Sequence, residues 1–367
     1  MKKHLILLVS LLLLSIQLYA QDEPLEDDDD DEDYSMYEDF DAASGQAARR
    51  FAHPKIFGLT PAKLVSVQYD LMGGSNLTSD SLFPYPQETT KIRATHGLRI
   101  FANLPVISHN RLLVNIGGSY IRTNYIMEDH NHPLARVLNE NGLTSMGLNT
   151  TIFKPLDEKR FLMGYLAGDL NGDYSLRNIQ SPRHTRLTWV AMYGKRVHDR
   201  LQFAFGATQS YRAGEVNYFP VILYNYTSEN RKWGIEALLP ARAHFRRTFN
   251  TRNILLLGFE LEGQTYRLND PKNRFPDRNV LPAGHMPHYD PNNLELRRSE
   301  IRLRAVYEKA ITDFIWVSGQ FGYVINYRFD VDSGNFFRGF FGDQPYVMQN
   351  RLRNPLYFNI SLNLVSP

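Results

Sequence analysis

Along residues 356–364 every second side chain is large and apolar: Leu356, Phe358, Ile360, Leu362 and Leu364, separated by Tyr357, Asn359, Ser361 and Asn363. The same period of two recurs where Val65, Val67, Tyr69 and Leu71 alternate with Ser66, Gln68 and Asp70. It recurs again where Ile301, Leu303, Ala305 and Tyr307 alternate with Glu300, Arg302, Arg304 and Glu308. Successive side chains of a strand point to opposite faces, so each stretch has one apolar and one polar face. The polar face is often charged and the runs reach ~10 residues. This is the pattern of strands that cross a membrane with lipid outside and a polar lumen inside. A soluble sandwich produces the same alternation with its apolar face inward.

The connections separate the two. Fourteen strands are expected: 63–72, 90–104, 111–126, 143–154, 160–171, 185–196, 201–212, 217–227, 233–239, 242–249, 254–268, 294–309, 314–329 and 354–365. The long connections (73–89, 127–142, 172–184, 269–293, 330–353) all fall on one side, and the other side has only short ones. Up-and-down transmembrane barrels have short periplasmic turns and longer outer loops. The expected fold is therefore all-β, an antiparallel up-and-down transmembrane β-barrel spanning residues 55–367. The stretch 233–249, interrupted by Pro240, is the weakest pair, and reading it as one irregular excursion gives twelve strands. Phe and Tyr number 43 against 3 Trp, and many sit at expected strand ends, where amphipathic rings favour the membrane interfaces.

The N-terminus reads as a secretory signal: Lys2, Lys3 and His4, an apolar Leu5–Ile16, and Ala20 before an expected cut at Gln21. An acidic segment, 21–54, follows. Residues 21–41 hold 13 acids and no Lys or Arg, which leaves the body from residue 42 with 39 basic and 26 acidic residues, a charge of +13. Such a block repels itself and buries little, so it is expected to be disordered. It serves either as a solubilising linker or as a polyanion that docks on the basic body. There is no cysteine, so disulfides, thiolate metal sites and a lipoprotein anchor are excluded.

The Ala20-Gln21 signal end, the cysteine-free body and the last strand, Pro355 to Val365, together resemble Gram-negative outer-membrane barrels. More narrowly, Leu64–Asp70 (LVSVQYD) and Trp233–Pro240 (WGIEALLP) resemble an uncharacterised family of barrels of roughly 300 residues with no assigned role. The resemblance implies outer-membrane lipid and the barrel-assembly machinery as partners, and supplies no catalytic or binding residues. One departure is the ending Val365-Ser366-Pro367, where many barrels finish on an aromatic residue.

Within the expected barrel, strand parity points Glu260 and Glu262 inward from one strand and Glu300, Arg302, Arg304 and Glu308 inward from the next. Arg93 and Arg99 share the parity of Thr95 and Asn103 on an earlier strand and complete a lumen charge ladder. Unpaired charge in a narrow lumen is costly, so either the ladder is ion-paired and fills the interior, or excess arginine lines a narrow path for anions. Ile360→Arg on the lipid face is expected to cost about 2–4 kcal/mol, and Asn359→Arg much less. His130 and His132 in one expected outer loop, and His285 and His288 in another, sit beside carboxylates, a chemistry that suits zinc, copper or nickel. Their spacing matches no defined metal motif, so no metal or other cofactor is expected. Asp169, Asn171, Gly172 and Asp173 open a calcium-like turn that lacks its closing acid. No nucleophile elbow, zinc-protease motif or phosphate loop appears. Nucleic acid is not an expected partner, since the basic residues alternate along strands instead of clustering. The expected function is a barrel of unassigned role: a narrow channel or transporter for an unknown small solute or ion, or a structural envelope barrel. The alternatives are a surface hydrolase and a secreted soluble binding protein.

Overall fold

The structure, a computed structural model, describes residues 52, 55–81, 86–128, 132–174, 185–210, 216–268, 275, 290, 292–333 and 346–366. The expected signal peptide and, apart from Ala52, the acidic segment lie outside the described residues. So do His130, His285 and His288.

Fourteen strands form the wall. They are β1 (Lys63–Met72, continued by Ser75–Ser79), β2 (Glu88–His109), β3 (Leu112–Met127), β4 (Leu143–Pro155) and β5 (Arg160–Gly172). Next come β6 (Thr185–His198), β7 (Leu201–Ser210), β8 (Asn217–Thr227), β9 (Trp233–Leu239) and β10 (Arg242–Asn250). The last are β11 (Asn253–Arg267), β12 (Glu295–Ala310), β13 (Ile315–Asp332) and β14 (Leu356–Val365, preceded by Asn350–Leu352). Each pairs antiparallel with the next, and β14 returns to β1 through Val65↔Leu364 to Met72↔Tyr357. The sheet is closed on itself around its full circumference. The 233–249 stretch is two true strands, which makes the count fourteen.

The apolar face points outward. Leu148, Leu166, Phe205, Ile222, Phe321 and Leu362 are all more than 45% exposed on successive sectors of the outer surface, and Leu148 reaches 72%. A sandwich would have buried them, so this is a lipid-facing band. The partners of these residues in the alternation, such as Asn359, Ser361 and Asn363, are buried inside.

Strand parity is not constant along the wall. On β13 the inward residues are Val324, then Phe329 and Val331; on β14 Tyr357, then Leu352; on β1 Met72, then Leu77; on β2 Thr95, then Ile92. Each step inverts the alternation at one height. The causes are local: bulges at Ile92/Ala94 and opposite β13 at Ser299/Glu300, Gly73-Gly74 on β1, and Pro355 before β14. Below this line the outer face carries Leu71, Leu98 and Phe358; above it Asn76, Lys91, Arg93, Arg351 and Arg353.

The connection expected as a loop over 127–142 contains a helix, α1 (Pro133–Glu140). His132 caps it, its Nδ1 accepting the Leu134 N–H at 3.2 Å while its Nε2 lies 3.0 Å from Ser79 Oγ. His132, expected in an outer loop, is instead the N-cap of this helix. It is 3% exposed and both ring nitrogens are engaged, so neither is free to ligate a metal.

Asn359 is 1% exposed and donates to Asp70 at 2.6 Å, so Asn359→Arg is not the mild change that strand parity alone implies. The useful contrast lies outside. Ile360→Arg, within the apolar band, should lower stability in vesicles by about 2–4 kcal/mol, whereas Thr89→Arg, above the parity line, should cost about 0–1 kcal/mol. Denaturant titration of the refolded barrel measures both, and equal costs would refute the placement of the band.

Candidate functional site

The lumen is occupied at three levels. At the end carrying the short turns, the chain before β1 runs inside the wall. Ala52 donates its N–H to Asp157 O (2.9 Å) in the β4–β5 turn, and Phe57 to Asp199 O (2.8 Å) in the β6–β7 turn. Gly58 has φ of +73°, and a Cβ there would lie 2.9 Å from the Thr227 methyl, so both backbone and space call for glycine. Thr60 then donates its N–H (3.0 Å) and its hydroxyl (2.7 Å) to the two oxygens of Glu236 on β9. Ala52 and residues 55–62 thus lie across the opening between the β4–β5 turn and β1. Beside them Phe153, Phe161, Met192, Ala204 and Val221 form an apolar cluster that includes Ala52, and none of these is more than 6% exposed.

The middle level is the charge ladder. Arg302 on β12 contacts Glu300 (2.7 Å), Asp70 on β1 (3.1 Å) and Glu262 on β11 (3.3 Å), and its guanidinium lies 5.3 Å from the centre of the Tyr357 ring. Arg99 on β2 reaches Asp70 at 3.0 Å and grips Glu262 with both terminal nitrogens. Arg298 closes on the far oxygen of Glu300 at 2.8 Å. Glu260 holds Arg304 at 2.6 Å, and Arg304 Nε lies 3.1 Å from His244 Nε2. Glu308 takes Lys63 Nζ at 2.6 Å. β2 and β11 are separated along the wall by β1, β14, β13 and β12. The Arg99–Glu262 pair is therefore a chord across the lumen, not a neighbour contact.

Of the residues the sequence singled out, Glu260, Glu262, Glu300, Arg302, Arg304, Glu308 and Arg99 come together here. Arg93 does not. The bulge beside it turns its side chain outward, where it is 68% exposed and pairs with Glu128 at 3.0 Å. The residues missed were Asp70, Arg298, Lys63 and His244. Asp70 was recoverable, because it lies on the polar parity of β1 with Ser66 and Gln68. The cluster of Arg99, Arg298 and Arg302 with Asp70, Glu262 and Glu300 is charge-balanced, and each of its carboxylates is bound by arginine. An excess of arginine lining a path is absent at this level.

The third level is the loop end. The β9–β10 hairpin turns back at Pro240-Ala241, so β10 pairs with β11 only as far as Arg242↔Glu260. The free edge of β11 crosses to β5 instead. Arg267 pairs with Gly172, Asp173 donates its N–H to Arg267 O (3.2 Å), and Asn171 Nδ2 donates to Gln264 Oε1 (2.9 Å). The residues resembling a calcium turn thus serve as a strand bridge over the mouth. Beside the bridge, Leu134, Val137 and Leu138 of α1 pack with Leu77, Ile92, Leu143, Leu296, Phe329 and Val331, all fully buried or nearly so. Each such side chain contributes about 1.5–3 kcal/mol by leaving water. Among the described residues no cluster of three or more potential metal ligands occurs.

Residues 108–364 match a domain of unknown function, DUF6268. The chain belongs to this family. No curated protein matches it. Among solved structures it is similar to the COG4313 outer membrane channel from Pseudomonas putida F1, with 10% identity, a TM-score of 0.39, and coverage of 84% of this chain and 97% of that one. It is also similar to the Pseudomonas putida toluene transporter TodX (8%, TM-score 0.29, 83% and 90%). A third likeness is to the outer membrane protease OmpT from Escherichia coli (9%, TM-score 0.25, 84% and 98%). The closed wall and its outward apolar band make this DUF6268 member an outer-membrane β-barrel.

Arg302→Ala leaves three buried carboxylates against only two arginines, Arg99 and Arg298, and removal of one partner from such a cluster costs about 3–5 kcal/mol. Arg93→Ala, on the outer surface, should stay within about 0.5 kcal/mol. Urea unfolding of the two variants in the same detergent checks the contrast, and similar midpoints would show that the ladder does not hold the barrel.

Proposed function

We propose that this DUF6268 barrel is closed at rest and serves as an ion-paired, filled envelope barrel, not an open pore. The observation that carries the reading is the chord from Arg99 to Glu262, wall to wall, with Arg302 3% exposed at its centre. The apolar packing beneath the outer mouth and the strap of Ala52 and residues 55–62 at the periplasmic opening support it from both sides. Its partners on this reading are outer-membrane lipid and the barrel-assembly machinery.

One observation favours a second reading, a small-solute path that opens on demand. The strap is not a strand of the wall: it is tied by the Ala52 and Phe57 backbone bonds to turns, by Thr60 to Glu236, by Ala62 O, which accepts the Ser366 N–H at 2.9 Å, and by the Phe57 ring under Arg231. Withdrawing it would uncover the lobe lined by Phe153, Phe161, Met192 and Val221. Planar-bilayer recording of the purified full-length protein separates the two. The unaltered barrel should be silent, and a steady open conductance would overturn the closed state. Thr60→Val combined with Glu236→Gln should stay silent for a filled barrel and should gate intermittently for a strapped path.

A further inference from the structure

The outer wall carries a polar pocket of about 700 Å³ where β13 and the segment before β14 part company. The strands stop pairing at Tyr323↔Leu356. Above that point Asn326 bonds instead to Asn354 and Arg353, its N–H meeting Asn354 Oδ1 at 2.8 Å. Arg351, Arg353, Asn76, Tyr327 and Tyr323 line this gap. Register continues the basic surface sideways. Arg353 donates its N–H to Asn76 O, Asn76 pairs with Lys91, and Arg351 pairs with Thr78. Neither the Arg351 nor the Arg353 side chain has an acidic partner among the described residues. Three acids lie near this face: Glu128 on the far flank, 3.6 Å from Lys91 and 3.0 Å from Arg93; Asp330, whose Oδ1 accepts the Asn350 N–H at 2.8 Å; and Asp80, whose N–H meets Gln349 O at 2.9 Å.

Two features fix the ligand class. The pocket lies immediately above the parity line, at the outer edge of the lipid-facing band. Directly below it Phe321, Leu356, Phe358 and Leu71 are about half exposed and form an apolar slope on the same face. A basic hollow over an apolar slope fits one amphiphile, with an anionic head above and acyl chains below. Arginine forks match phosphate oxygens in pairs, and tyrosine with asparagine supplies hydroxyl and amide groups of the kind that meet a sugar. We infer that Arg351 and Arg353 form a binding site for the phosphate-bearing headgroup of an outer-leaflet glycolipid. The site is independent of whether the lumen ever conducts.

The test is native mass spectrometry of the full-length barrel in neutral detergent with diphosphorylated lipid A, the same lipid stripped of its phosphates, and inorganic phosphate as separate probes. The diphosphorylated lipid should be retained, and retention should fall roughly tenfold or more in Arg351→Gln/Arg353→Gln. Arg252→Gln, on a periplasmic turn, should retain as the unaltered chain does. Heat-modifiable gel migration reports that each variant is folded. Equal retention of the stripped lipid, or unchanged retention in the double variant, would overturn the site. Displacement of the lipid by millimolar inorganic phosphate would overturn the glycolipid assignment in favour of a free anion.

Discussion

Hydrocarbon offers no hydrogen bonds, so every backbone N–H and C=O within the apolar band has to find its partner in the chain itself. Closure of β14 onto β1 meets that demand and sets the rest of the design. It fixes which side chains face lipid, and it creates an interior that must be filled with water, solute or protein. Among the described residues, the charge ladder, the α1 cluster and Ala52 with residues 55–62 occupy the interior at three levels. The constraint reappears at the outer mouth. There the early return of β9–β10 leaves β11 with a bare edge, and β5 supplies the missing partner across the opening.

Filling a lumen with charge carries a desolvation cost that only close pairing offsets. The ladder meets this by neutrality and geometry: three arginines against three carboxylates, knitted through Asp70, Glu262 and Glu300. Because Arg99 and Glu262 come from distant strands, the pairing also ties one side of the wall to the other. Apolar clusters lie above and below it, one around α1 and one beneath Phe153 and Met192. The polar network is thus sandwiched between dry layers, where each ion pair is stronger than it would be in a wet pore.

The wall was largely legible in the sequence because period two over ten residues, with loops long on one side only, leaves few alternatives. The ladder was legible for the same reason, since parity alone brings Glu260, Glu262, Arg302 and Arg304 to one side. What parity could not carry was its own interruption. Arg93 was misplaced because a bulge at its position inverts the count, although Gly73-Gly74 and Pro355 marked the same height on neighbouring strands. The helix was missed because eight residues are too few to outweigh a loop-like context, despite the i, i+3, i+4 spacing of Leu134, Val137 and Leu138. The β5–β11 bridge depends on how far β10 fails to reach, a three-dimensional mismatch that no local pattern records.

The central claim is that water does not traverse the middle of this barrel. The chain has no cysteine, so a single engineered thiol reports on one place only. Ser66 is 2% exposed and bonds Asn363 Oδ1 at 2.6 Å inside the wall. In folded Ser66→Cys, a small water-soluble thiol reagent should leave the thiol unmodified over hours and label it within minutes once urea opens the barrel. Rapid labelling of the folded protein, at a rate near that of an exposed Thr89→Cys, would contradict the sealed lumen.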